Sequence, residues 1–393
     1  MARKSNTRAA QGSGTIRQRK DGRWEARYTV GRDPGTGKQI QRSVYGATQQ
    51  EVRKKLAQVT TALDCGDYFQ PSKMTLARWV ELWLQEYTSD KKYLTVKHYT
   101  AQCKTHIVPS LGAVKLAELT APQIQAFYNG LLRDGMAPKS VRNIHGILTK
   151  CLSTAVSVEY IRDNPASRVT LPRVEKKEIH PLTDEQVKDF LRVSAGDEYE
   201  TLLKVILFTG LRESEAIGLT WDCVDFKAGT VKVCKQLQKR PLSDGGFTFA
   251  PLKNDKTRTL RPAPFVLELL ERRKREQAEQ RLKAGELWVG WQTTDQQKSA
   301  LVFTTATGSN LSPQTVYNHY KKLASQIGAP DSRVHDLRHT FAVLSLQNGD
   351  DVKTVQGNLG HATAAFTLDV YGHVSERMKE DSAARMQEYI SNL

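Results

Sequence analysis

The stretch VHDLRHTFAV, residues 334–343, sets His335 and Arg338 three positions apart. In a helix that spacing stacks both side chains on one face, leaving Val334, Leu337, Phe341 and Leu344 to anchor the opposite side in a core. A histidine and an arginine sharing a helix face are common in any protein, so the pair gains meaning from what flanks it. Upstream, TGLRESEAIGL (209–219) puts Arg212 just after a glycine break, at the start of a helix, with Glu215 one turn later to orient the guanidinium. Downstream, GNLGHATAAFTLDVYGHV (357–374) brings His361 after a glycine stop and Tyr371 ten residues further on. Between them, PLKNDKTRTLRP (251–262) reads as a hairpin from whose turn Lys253 projects, with Lys256 as the alternative.

Transfer of a phosphodiester needs a nucleophile, a proton donor for the leaving oxygen, and positive charge on the two non-bridging oxygens as the transition state forms. Arginine serves the last need best, because its planar fork meets phosphate through two hydrogen bonds.

Composition points the same way. The 393 residues are too many for one hydrophobic core, so two or three domains are expected. Lys and Arg total 58 against 42 Asp and Glu, a formal charge of +16 that calls for a polyanionic partner, nucleic acid first. An anionic membrane surface would want a basic amphipathic helix or a lipidation signal, and the chain shows neither. No apolar run approaches the roughly 20 residues that span a bilayer, and MARKSNTRAAQGSG lacks the apolar core of a signal peptide, so a soluble intracellular protein is expected. The five cysteines (Cys65, Cys103, Cys151, Cys223 and Cys234) are scattered without a C-x-x-C pair and read as reduced, mostly buried hydrophobes.

Residues 1–13 are polar, basic and aperiodic, a flexible arm. Strict alternation then predicts strands at 14–18, 24–30 and 39–45 in an antiparallel sheet. Thr48 and Glu51 open a helix carrying Val52, Leu56, Val59 and Leu63. The exposed face of this sheet is expected to carry much of Arg17, Arg19, Arg23, Arg27, Arg32, Lys38 and Arg42 against Asp21, Glu25 and Asp33, either as a major-groove reader or as a solvated face. After the linker CGDYFQPSK, four helices fit residues 74–168, among them the stripes Leu76, Trp79, Val80, Trp83, Leu84, Tyr87 and Val141, Ile144, Leu148, Cys151, Ala155. HIVPSLG reads as a proline and glycine stop, and a short helix begins near Pro122. Lys97, Lys139 and Arg142, with Lys91, Lys92, Lys104 and Lys150, face solvent or phosphate. A charged, proline-bearing linker spans 169–182, and from Thr183 the pattern runs helix, helix, strands near 230–234, 247–252 and 259–261, then helices.

The order Arg212, Lys253, His335-x-x-Arg338, His361, Tyr371, with TGLRESE, HDLRHTFA, LGH and TLDVYGHV around it, resembles the boxes of the tyrosine recombinase or phage integrase family over residues 183–372. The helical region resembles that family's core-binding domain, and the N-terminal sheet resembles the arm-binding domain of integrases from phages and conjugative elements. The resemblance implies a multidomain fold: a small three-stranded β-sheet plus helix (14–66), an all-α core-binding bundle (74–168), a mixed α+β catalytic domain (183–372), and a tail helix (373–393) docking on its own domain or on a neighbouring protomer. It implies that Arg212 and Arg338 hold the scissile phosphate with His335 and His361, that Tyr371 attacks it, that Lys253 protonates the leaving oxygen, and that Glu215 supports. Implied partners are double-stranded DNA at core-type and arm-type sites, a homo-tetramer on that DNA, and accessory DNA-bending or directionality proteins, in a bacterial cytoplasm and without a membrane. With no G-x-x-x-x-G-K-[ST] loop and no carboxylate cluster in the boxes, neither nucleotide, metal nor other cofactor is expected. Two rival readings stay open: a type IB topoisomerase, sharing the Tyr, Arg and Lys chemistry, and a non-enzymatic architectural DNA binder.

Overall fold

The alternation in the N-terminal stretch produces three strands, β1 (Thr15–Gln18), β2 (Trp24–Arg32) and β3 (Gln39–Gly46), antiparallel in the order β1-β2-β3. Ala26 and Tyr28 on one face are buried against Val52 and Leu56 of α1 (Gln49–Asp64). The computed structural model describes residues 15–32, 35–64, 73–175, 180–253, 255–360 and 376–392; the arm at 1–13 and the linker at 65–72 lie outside them. The chain divides into two compact units, Met1–Lys176 and Lys177–Leu393.

The register corrects one expectation about the sheet. Arg17 pairs with Glu25 and Arg27 with Ser43 on the open face, but Arg42 stands opposite Tyr28, on the face that packs against α1. Side chains alternate with period two, so one step from Ser43 moves Arg42 to the other side. Glu25, expected as a solvated counter-charge, is buried instead, accepting hydrogen bonds from Arg17 Nε (2.8 Å), Ser43 Oγ (2.8 Å) and Arg27 Nε (3.2 Å).

The first unit also holds a helical region with a core separate from that of the sheet. Its helices are α2 (Leu76–Glu86), α3 (Tyr93–Gln102), α4 (Val108–Leu111), α5 (Ala121–Arg133) and α6 (Pro138–Ser157). Both expected stripes are buried along their central positions, and Trp79 Nε1 on α2 donates to the Cys151 carbonyl of α6 at 3.0 Å. The stop expected in HIVPSLG falls at Gly112, which caps the helix ending at Leu111, and not at Pro109. The backbone widens into a π turn over Cys103–Ile107 and runs on into α4, with Pro109 in the first turn after the widened segment. The helix near Pro122 is α5, 13 residues long rather than short, opened by a capping box between Thr120 and Gln123. The linker's first half is tied down: Arg142 Nε donates to the Pro172 carbonyl at 2.7 Å, and Thr170 N–H to Gln125 Oε1 at 2.8 Å.

In the second unit α7 (Asp184–Val193), α8 (Glu200–Thr209) and α9 (Glu213–Ala216) precede β4 (Val224–Asp225), β5 (Thr230–Val233), β6 (Gln236–Lys239), β7 (Phe247–Ala250) and β8 (Arg258–Leu260). Then come α10 (Pro264–Ala284), α11 (Thr294–Lys298), α12 (Pro313–Gln326), α13 (Val334–Gln347), α14 (Val352–Leu359) and, after residues outside the description, α15 (Glu376–Ser391). The architecture is mixed α and β. α8 is apolar nearly all round and correspondingly buried, with Leu202, Leu203, Val205, Ile206 and Leu207 all in the core. The strands correct the expected hairpin: β7 pairs with β6, whereas β8 pairs with β5 in a sheet ordered β4-β5-β8. The segment carrying Lys253 therefore connects two sheets. Among the described residues no helix is long and apolar enough to cross a membrane.

Candidate active site

α8 ends at Gly210, which adopts φ +66°; a Cβ there would collide with the Phe341 ring, so only glycine fits both the left-handed backbone and the close approach of α13. The turn delivers Arg212 as the residue capping α9. Its backbone N–H donates to Glu215 Oε2 at 3.0 Å, its Nη1 to Glu215 Oε1 at 2.7 Å, and its Nη2 to the Gly360 carbonyl at 3.3 Å. The Arg212 and Glu215 pairing foreseen at i and i+3 is thus present, with the carboxylate enclosed.

Arg338 on α13 is fully buried and bridges two chain segments, Nη1 to the Gly210 carbonyl and Nη2 to the Leu359 carbonyl, both at 2.6 Å. Arg258 on β8 completes the cluster, its Nη2 and Nη1 meeting Glu215 Oε2 and Oε1 at 2.6 and 3.2 Å while Nε reaches the Asn358 carbonyl at 2.8 Å. The carbonyls of Asn358, Leu359 and Gly360 each accept from a different arginine. A helix leaves its last carbonyls without partners and carries partial negative charge at that end, so three guanidinium groups satisfy the end of α14 in both respects. Gly360 matters here, because a Cβ would stand 3.1 Å from Arg258 Nη1.

Burial alone would raise the pKa of Glu215; the hydrogen bond and charge of Arg258, then those of Arg212, overcome this and hold it at about 2. It is a fixed anion between two cations. His335 reaches solvent, yet the protein around its ring and, next, the charge of Arg338 push its pKa below the ordinary value. His339, one turn on, lies edge-on to His335 with ring centroids 4.9 Å apart, and burial followed by the His335 charge brings it down to about 4. Both rings are neutral at pH 7, and each offers one donor and one acceptor nitrogen.

Arg212, Glu215, His335 and Arg338 are therefore brought together. Lys253 and Lys256 both stand exposed on the connection leading into β8. His361 and Tyr371 lie outside the described residues, following Gly360 in the sequence. Arg17, Arg19, Arg23, Arg27, Lys97, Lys139 and Arg142 are exposed, and Arg142 also donates to the linker. Sequence reasoning missed Arg258 and His339. Arg258 had a readable signal: it alternates with buried Leu260 and so points to the core side, where a lone arginine demands a partner.

Such a basic cluster around a pinned helix end has the chemistry to hold a phosphate. The sequence pattern of the Phage integrase family matches residues 175–378, and that of the phage integrase N-terminal SAM-like domain matches 75–132. The chain belongs to the phage integrase family. A XerC-like tyrosine recombinase of Caldanaerobacter subterraneus subsp. tengcongensis is 26% identical over 375 residues, covering 92% of this chain and 94% of that one. The ICEBs1 integrase of Bacillus subtilis is 23% identical, covering 96% and 100%. Among solved structures, a Tn1549 transposon integrase in complex with circular intermediate DNA shares the fold at TM-score 0.67 and 19% identity, over 80% of this chain and all of that one. A lambda integrase tetramer bound to a Holliday junction does so at TM-score 0.55 and 19% identity, over 92% and 96%. The protein is a site-specific DNA recombinase of the tyrosine class, the function that the sequence resemblance implies.

Proposed function

We propose that this recombinase integrates and excises a mobile element or prophage by the attack of Tyr371 on a scissile phosphate held by Arg212 and Arg338. The Tyr371 oxygen bonds to phosphorus, the bond to the 5′ oxygen breaks, and that oxygen takes a proton from Lys253, with Lys256 as the alternative donor. The tyrosine proton passes to His335, neutral and able to accept it at pH 7. A 3′-phosphotyrosyl link and a free 5′-hydroxyl result, and the reverse sequence on a new 5′ end rejoins the strand without further energy input. His361 donates to the phosphate, and Glu215 supports Arg212.

The observation that carries this reading is the convergence of Arg212 and Arg338, 126 positions apart in the chain, on the end of α14, directly ahead of His361. Positive charge fixed before the reaction stabilises the charge that develops on phosphate at no cost in rearrangement. The exposed arginines of the sheet read arm-type sites, and Lys97 and Lys139 contact core-type DNA. The lambda integrase tetramer on a Holliday junction supports assembly of a tetramer on paired DNA; a bacterial cytoplasmic location and assistance by bending or directionality proteins belong to the same proposal. Met386, Tyr389 and Ile390 of α15, exposed to solvent, would dock on a neighbouring protomer.

The test is incubation with a nicked duplex carrying the core site, scored for an SDS-resistant protein-DNA adduct. Wild type forms it and Tyr371→Phe does not; absence from wild type, or persistence in the variant, overturns the assignment.

A further inference from the structure

Arg258 has no place in the ordered set of residues that the mechanism uses, and its side chain is only 10% exposed. Yet one planar group ties together β8, Glu215 on α9, 43 residues away, and the end of α14, 100 residues away. We propose that Arg258 is a positioning residue for strand cleavage, holding Glu215 so that Arg212 keeps a net positive charge directed at the scissile phosphate.

The argument is one of charge balance, and it rests on the recombinase reading above. Glu215 is ion-paired with Arg212 and Arg258. Two guanidinium groups and one carboxylate sum to a single positive charge. Were Arg258 absent, Arg212 and Glu215 would form a neutral pair in an enclosed site, where an uncompensated carboxylate draws its remaining cation strongly. The second Arg212 nitrogen, now on the Gly360 carbonyl, would be captured as well, and the phosphate would meet a neutralised arginine. The geometry shows how Arg258 prevents this. Its fork occupies both carboxylate oxygens, leaving Arg212 one side-chain bond to Oε1. Its Nε also fixes the Asn358 carbonyl, so Arg212 and the backbone ahead of His361 share one reference frame. A lysine would keep the charge and lose the fork.

The experiment measures two quantities on the full chain: affinity for a core-site duplex, and the single-turnover rate of covalent adduct formation at saturating protein, which counts only folded, DNA-bound enzyme. Arg258→Met should leave affinity unchanged, because surface phosphate contacts dominate it. The same variant should slow adduct formation about a hundredfold, as displacement of a catalytic group does. Arg258→Lys should fall between the two. The decisive variant is the double substitution Arg258→Met with Glu215→Gln, which removes the captured charge and should cleave faster than Arg258→Met alone. If Arg258→Met fails to fold, the lysine variant and the double variant carry the test. The proposal is overturned if Arg258→Met cleaves at the wild-type rate, or if its defect is matched by lysine and not relieved by Glu215→Gln. A wild type that forms no adduct overturns the recombinase mechanism instead.

Discussion

Glu25 and Glu215 are built alike: each is buried, each lies between two arginines, and each is held at about 2. Around Glu25 the Ser43 hydroxyl and then Arg17 do most of the holding, and the arginines Arg17 and Arg27 are 56% and 45% exposed. Around Glu215 they are Arg212 and Arg258, 20% and 10% exposed. Both clusters carry one net positive charge, suited to a phosphate. On the open sheet, water screens the pairing, so the guanidinium groups are free to leave the carboxylate for another anion, as the proposed reading of a DNA backbone requires. In the enclosed site the same interaction is strong and any rearrangement expensive, which fixes the charge where the proposed chemistry needs it. Exposure of the arginines, rather than residue type, separates the two clusters, in the way the proposed roles of adaptable reader and preorganised catalyst require.

The largest expected effect falls on the enclosed cluster. Glu215→Ala leaves two largely enclosed arginines without their anion and should cost about 3 kcal/mol in denaturant melts, with loss of cleavage. Glu25→Ala should shift the melt far less and leave core-site cleavage intact; equal losses would erase the distinction. Arg338→Lys cannot span the Gly210 and Leu359 carbonyls, and should slow cleavage about a hundredfold or more while core-site binding persists.

Smaller effects sharpen the open side of the comparison. Deleting residues 1–64 should abolish binding to arm sites in gel-shift assays and spare cleavage at core sites; loss of both together would mean that the sheet is not a separate reader. Substituting Arg17 or Arg27 by Gln should flatten the salt slope of arm-site binding by about 0.9 each.

Titration separates the groups in pH. Both glutamates are depressed from 4.5 to about 2, so the unfolded chain takes up protons first; their contribution to stability is complete above pH 4.5 and is lost as pH falls toward 2. His339 is depressed from 6.5 to about 4, so its contribution is complete above pH 6.5 and is lost between 6.5 and 4. Melts of His339→Gln should show a weaker pH dependence in that upper window and the wild-type dependence below it.

What the sequence made legible follows from what is local. Periods of two and 3.6 gave the N-terminal sheet and the principal helices, and the three-residue step from Arg212 to Glu215 gave their pairing. Arg42 was assigned to the wrong face because composition was read without the register to Tyr28. Pro109 was read as a stop because a π turn has no sequence period of its own. The supposed hairpin at Lys253 failed because strand partners are chosen by tertiary packing: β7 and β8 are neighbours in sequence and belong to different sheets. The inward face of Arg258 was readable from its spacing to Leu260, but its partners were not, since neither is near it in the chain.

The most direct measurement of the central claim is the identity of the covalent link. The adduct trapped on a nicked core-site duplex is digested with protease, and the peptide bearing the nucleotide is sequenced by mass spectrometry. The nucleotide is predicted on Tyr371, joined through a 3′-phosphate, with a free 5′-hydroxyl on the released strand. A link through another residue, or to a 5′-phosphate, would contradict the account.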